Sequence, residues 1–140
     1  IAADGEGATK LLECKVSGAK SENDAKAVAK SVICSSLLKA AMFGADANWG
    51  RVLCAVGYSK AEVDVNKIDV AFASKAGTVE VCKNGAGIEF SEEKAKTVLS
   101  EKEIEILISL NDGNGDATAW GWSRWIWARA TPAPRHGAAI

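Results

Sequence analysis

Three groups of residues in this 140-residue sequence carry side chains able to do chemistry. The first is Asp4-Gly5-Glu6-Gly7-Ala8-Thr9-Lys10. Two glycines around a carboxylate let the backbone approach a small ligand closely, and Glu6 has the charge to accept hydrogen bonds from an ammonium group. The same residues also read as a turn entering a strand, with Glu6 in water. Gly5-Glu6-Gly7 lacks the spacing of a Walker motif, and Lys10 stands where the third glycine of a dinucleotide motif belongs. Nucleotide binding is therefore not expected. The second group, Asp112-Gly113-Asn114-Gly115-Asp116, copies the opening of an EF-hand loop, but Ala117 takes the place of the required glycine and Ser123 that of the bidentate glutamate. A polar turn ahead of the next element is the expectation, and no metal site.

The third group is the cysteines at 14, 34, 54 and 82, with His136 as the one histidine. No two cysteines have the close spacing of a zinc hook, and His136 lies far from all of them. Cys14, Cys34 and Cys54 have apolar neighbours on the side expected to be buried, where a free thiol behaves as a small hydrophobe. They are read as core residues in a reducing, cytoplasmic setting. A Cys-His catalytic pair is not expected.

These groups must be positioned by elements legible in the apolar pattern. Leu12, Cys14 and Val16 alternate with Glu13 and Lys15, so a strand from Thr9 to Val16 follows the first group and ends at Ser17-Gly18. Ser21 caps a helix with Glu22 and Asp24 in its first turn. Its apolar stripe through Ala25, Val28, Ala29, Val32, Ile33 and Leu37 carries on past Ala40 and Ala41 to Gly44, predicting one long helix. Asp46, Asn48 and Gly50 predict a turn, with Arg51 either structural there or paired with a carboxylate. Arg51 to Tyr58 fits a short helix or a buried strand equally. Strands are predicted at Ile68 to Phe72 and at Val79 to Val81, the latter joined through an Asn84-Gly85 hairpin turn to Ile88–Phe90. A second helix runs from Ser91 to Leu99, and Ile104, Ile106, Ile108 and Leu110 alternate as a last clear strand. The order implies an α+β, layered α/β sandwich: a mixed sheet with two main helices.

Composition bounds the rest. Apolar residues make up 48%, and 17 basic against 18 acidic residues leave a charge of -1, without the basic excess of a phosphate-driven nucleic-acid binder. Apolar runs such as Val52 to Val56 fall far short of the ~20 residues that cross a bilayer. The opening at Ile1, with no Met and no signal-peptide pattern, reads as the middle of a longer polypeptide.

Three stretches, DGEGATK at 4–10, FGADANWGRVLCAVGYS at 43–59 and DATAW at 116–120, together resemble one family, the glutamate N-acetyltransferases (ornithine acetyltransferases) of arginine biosynthesis. The resemblance covers residues 1 to 121 and places this chain in the later part of the family's β chain. It implies a precursor that cleaves itself at an Ala-Thr bond. The freed threonine takes the acetyl group of N2-acetylornithine and passes it to glutamate, and bifunctional members also accept acetyl-CoA as donor. That is nucleophilic catalysis through an acyl-enzyme with a stabilised oxyanion.

The resemblance also sets which residues matter here. The nucleophile lies upstream of DGEGATK, so no catalytic residue is expected in this chain, and Thr9, Thr78, Thr97, Thr118 and Thr131 are not candidates. Glu6 carries over as a substrate ligand near the amino group. No cofactor is implied. The implied partners are an α chain and the remainder of the β chain in a heterotetramer, with no nucleic acid and no membrane, and the isolated chain is expected to be inactive. Residues 122–140, with Trp122, Trp125 and Trp127, depart from the family and form a separate tail. The competing expectation is a non-catalytic fragment of the same fold that serves assembly or small-ligand binding.

Overall fold

The computed structural model describes residues 10–123. Their elements run β1 (Lys10–Ala19), α1 (Glu22–Ile33), α2 (Ser36–Phe43), α3 (Trp49–Tyr58), a 3-10 turn (Val65–Lys67), β2 (Asp69–Ser74), β3 (Gly77–Lys83), β4 (Ala86–Gly87), α4 (Glu92–Leu99), β5 (Glu103–Ser109) and β6 (Gly115–Ser123). The six strands form one sheet in the order β4-β3-β2-β5-β1-β6. β1 pairs parallel with β5 and antiparallel with β6, and β2 is antiparallel to both β3 and β5. The expected mixed sheet and α+β layering are therefore present.

Alternation along the strands builds the core. Leu12, Cys14 and Val16 of β1 stand beside Ile104, Ile106 and Ile108 of β5, and Val70 and Phe72 of β2 continue the row. All are buried, together with Val28, Val32, Leu38, Val52 and Val98 from the helices. Burying chains of this size contributes about 1.5–3 kcal/mol each before conformational entropy is set against it. The alternate residues point to the opposite face, which no described helix covers. Glu13, Lys15, Glu105 and Thr118 lie there beside the half-buried Leu11, Ala71, Leu107 and Trp120. No helix among the described residues is long and apolar enough to cross a membrane.

Two expectations need correction, and two segments left open are settled. The long helix from Ser21 to Gly44 is two helices, because Ser35 accepts the Leu38 N–H at 3.1 Å and so caps a new one directly after Cys34. A serine that captures a backbone donor competes with the helix ladder even where the apolar stripe is continuous. The ambiguous segment is a helix, α3, capped by Asn48 through the Arg51 N–H at 3.1 Å. With α2 and α3 added to the two main helices α1 and α4, the described residues carry four helices.

The hairpin turn is correct, with Asn84 and Gly85 at φ 53° and 78°, but its second strand is only Ala86–Gly87, and Ile88–Phe90 lies beyond it. Finally, the polar turn at 112–116 runs into a strand the apolar pattern does not reveal. β6 places Ala117, Ala119 and Gly121 inward, because α1 lies close: a Cβ on Gly121 would come within 2.7 Å of Ile33 Cγ2.

Candidate functional site

Lys10 opens β1, directly after the DGEGAT residues. Its parity matches Leu12, Cys14 and Val16, so it sits on the covered side of the sheet at the edge of the core. There its ammonium donates to Met42 O at 2.9 Å and to Leu99 O at 2.6 Å. These carbonyls belong to the final turns of α2 and α4, where the negative end of the helix dipole favours a cation, and Met42 O accepts the Ala45 N–H at 3.0 Å as well. Burial pulls the Lys10 pKa below the ordinary lysine range. The ammonium thus ties together a strand start and two helix ends.

Met42 directly precedes the second family stretch, so this clamp brings the end of DGEGATK and the start of FGADANWG to one end of the sheet. The turn between α2 and α3 is held from within. Asp46 N–H donates to Ala41 O at 2.8 Å, and Asn48 caps α3. Arg51 donates from Nη1 to Leu37 O at 2.8 Å, a structural bond to a carbonyl rather than to a carboxylate. The Trp49 ring lies against the β4 backbone, where a Cβ on Gly87 would come within 2.3 Å of Trp49 Cζ2.

Glu6 lies outside the described residues, as do Thr9, Thr131, His136 and the tail tryptophans Trp125 and Trp127. Thr78 is exposed on β3, Thr97 donates to Glu93 O at 3.0 Å, and Thr118 lies on β6. Of the EF-hand-like residues, Asp112 is held by Lys67 at 3.2 Å and Lys20 at 3.8 Å, and Asp116 accepts from the Gly18 N–H at 3.4 Å. Among the described residues no group of three His, Cys, Asp or Glu side chains is arranged to hold a metal ion.

The cysteines divide. Cys14 and Cys82 are buried, and burial pushes both thiols up in pKa. Cys34 and Cys54 are exposed, against the expectation that they join the core. Cys34 falls off the inward stripe of α1, which ends at Val32 and Ile33, and in α3 the inward positions are Val52, Ala55 and Val56.

The residue that sequence reading missed is Lys10, noted only as an ill-fitting glycine position. Its parity with the inward residues of β1 was the available signal. A polar network at the other end of the sheet was missed as well: Ser109 donates to Asn111 Oδ1 at 2.8 Å, and Asn111 donates to Lys67 O at 2.7 Å and Asp69 Oδ2 at 3.1 Å.

A family model described as the ArgJ family matches residues 1–123. The arginine biosynthesis bifunctional protein ArgJ 1 of Clostridium acetobutylicum is 56% identical over 121 residues, covering 86% of this chain and 30% of that protein. The glutamate N-acetyltransferase of Methanopyrus kandleri is 46% identical over 121 residues, covering 86% of this chain and 31% of its own length. The crystal structure of an arginine biosynthesis bifunctional protein ArgJ from Bacillus halodurans superposes with a TM-score of 0.75 at 44% identity, covering 86% of this chain and 55% of that one. The chain spans about 30% of the length of the curated relatives it matches. The family match over residues 1–123, together with these relatives, shows that this chain belongs to the ArgJ family.

Proposed function

We propose that this chain is part of an acyltransferase of arginine biosynthesis that moves the acetyl group of N2-acetylornithine to glutamate, with acetyl-CoA as a further donor. The nucleophile is a threonine outside this chain. Its hydroxyl attacks the acetyl carbonyl and passes its proton to the departing amine as the amide C–N bond breaks and ornithine leaves; the amine of glutamate then attacks the resulting ester, whose C–O bond breaks to return the protonated threonine hydroxyl and release acetylated glutamate. Stabilisation of the two tetrahedral intermediates comes from residues outside this chain as well. Within it, Glu6 holds the substrate ammonium.

The observation that carries this reading is the Lys10 clamp, which seats the end of DGEGATK against the segment leading into FGADANWG. A ligand-holding carboxylate needs such a support, because a loosely held group gives up its binding energy in being ordered. The open sheet face supports the role as a part: Leu11, Leu107, Ala71 and Trp120, half-buried among Glu13, Lys15 and Glu105, suit contact with further polypeptide. The partners are an α chain and the rest of the β chain, assembled as a heterotetramer in the cytoplasm, and the isolated chain is inactive.

The test is Glu6→Gln in the complete protein. Losing a charged partner to the ammonium raises KM for N2-acetylornithine by roughly 10- to 100-fold, the equivalent of about 1.5–3 kcal/mol. Intact mass in the same preparation checks self-cleavage. An unchanged KM would remove Glu6 from the site, and a preparation with no threonine-headed chain would leave only a fold without the chemistry.

A further inference from the structure

α1 and α3 meet where Ser31 Oγ donates to Ala55 O at 2.5 Å. Beside this contact a surface groove of about 320 Å³ opens between the helices, lined by Ser31, Cys34, Leu37, Arg51, Cys54 and Tyr58 among others. Cys34 lies one helical turn beyond Ser31, and Cys54 directly precedes Ala55. The two exposed thiols therefore flank the point at which the helices are bonded together. The other two cysteines, Cys14 and Cys82, are buried in the core.

Cys34 ends α1, its N–H bonded to Lys30 O, and Ser35 starts the cap of α2. A disulfide requires its Cα atoms within roughly 4.4–6.8 Å. Both thiols line the one groove, and Cys34 stands at the helix junction rather than inside a helix. Arg51 brings positive charge to the same groove, which suits an incoming reagent that bears carboxylates.

We propose that Cys34 and Cys54 are a paired-thiol modification site that closes to an intramolecular disulfide on meeting a small carboxylate-bearing disulfide. One cysteine thiolate attacks a sulfur of the reagent, the reagent's S–S bond breaks, and its first half leaves as a thiolate that takes up a proton. The second cysteine, having given up its proton, attacks the cysteine sulfur of the mixed disulfide and expels the other half as a thiol. Two protein thiols lose two electrons in all, and the reagent gains them as it leaves as two thiols. The bridge encloses all of α2 and the α2–α3 turn, so it fastens the segment whose Met42 carbonyl holds Lys10. This site does not depend on the acetyl-transfer reading.

The experiment uses the full chain with oxidised glutathione, followed by intact mass and peptide mapping without reduction. The expected result is a loss of two hydrogens in the protein mass, a crosslinked peptide pair holding Cys34 and Cys54, and unmodified Cys14 and Cys82. Cys34→Ser and Cys54→Ser must each stop at one glutathione adduct on the remaining exposed thiol. Two glutathiones on the unaltered chain would overturn the proposal, because the thiols would then react independently. So would a crosslink between two chains, a bridge involving Cys14 or Cys82, or no reaction at either exposed cysteine.

Discussion

Replacing Lys10 by Met tests whether the clamp holds the strand start to the helices. Methionine keeps most of the apolar stem and removes the ammonium, so packing beside β1 changes little. The lost interactions are two hydrogen bonds from a charged group, at 2.9 and 2.6 Å, to helix-end carbonyls. Bonds of this type contribute roughly 1.5–3 kcal/mol each. Burial lowers the Lys10 pKa, which means that desolvation of the charge takes back part of that sum. The expected net loss is about 2 kcal/mol, which in a domain of this size lowers Tm by roughly 8 °C. Urea unfolding of Lys10→Met should show a lower midpoint at an unchanged slope, since the surface exposed on unfolding stays the same. The exposed Lys26 gives the control, and Lys26→Met should stay within about 0.5 kcal/mol of the parent. A Lys10→Met loss no larger than that of the control would refute the clamp.

Two further outcomes come from packing and charge. Gly87→Ala places a Cβ within 2.3 Å of Trp49 Cζ2 and should cost about 1–3 kcal/mol through overpacking. Phenylalanine lacks that atom, so Trp49→Phe combined with Gly87→Ala should lose at least ~0.5 kcal/mol less than the sum of the single changes in denaturant melts, and strict additivity would show that the ring does not press on β4. Lys15, bonded to Glu105 at 3.1 Å, has its pKa raised by that bond, by the charge of Glu105 and by that of Glu13. The folded state therefore binds its proton more tightly than the unfolded chain. The stabilisation is complete below the ordinary lysine pKa and is lost as pH rises through the higher folded value. The pair is largely exposed, so a few tenths of a kcal/mol are at stake, and Glu105→Gln should flatten that alkaline decline in the urea midpoint.

What the sequence made legible follows from which forces leave a periodic trace. β1, β2 and β5 showed because their inward positions carry large apolar side chains, and α1 showed because its stripe and Ser21 cap agree. The Cys34–Ser35 break did not, since one hydroxyl redirects the backbone while the apolar stripe runs on. β6 did not because its inward residues are Ala117, Ala119 and Gly121, kept small by the closeness of α1. A strand selected for close approach to a helix loses the hydrophobic alternation by which strands are recognised. The exposure of Cys34 and Cys54 was hidden because each stands next to an inward residue, Ile33 and Ala55, and one step along a helix already turns the side chain through about 100°.

The candidate site was legible in its family motifs but not in its mechanics. A lysine on the inward parity of a core strand is costly unless something receives its charge, and the apolar pattern gives no sign of the acceptors, which are backbone carbonyls from α2 and α4. Their placement gives the first motif a physical meaning that its composition alone does not. Lys10 is both the last residue of DGEGATK and the first of a strand paired on either side, by β5 and β6. Its ammonium is fixed to two helices that start elsewhere in the chain. Glu6 therefore stands four residues from a point anchored by a sheet and two helices at once. The ligand role proposed for Glu6 rests on that anchor at Lys10, since a loosely held group gives up binding energy in being ordered.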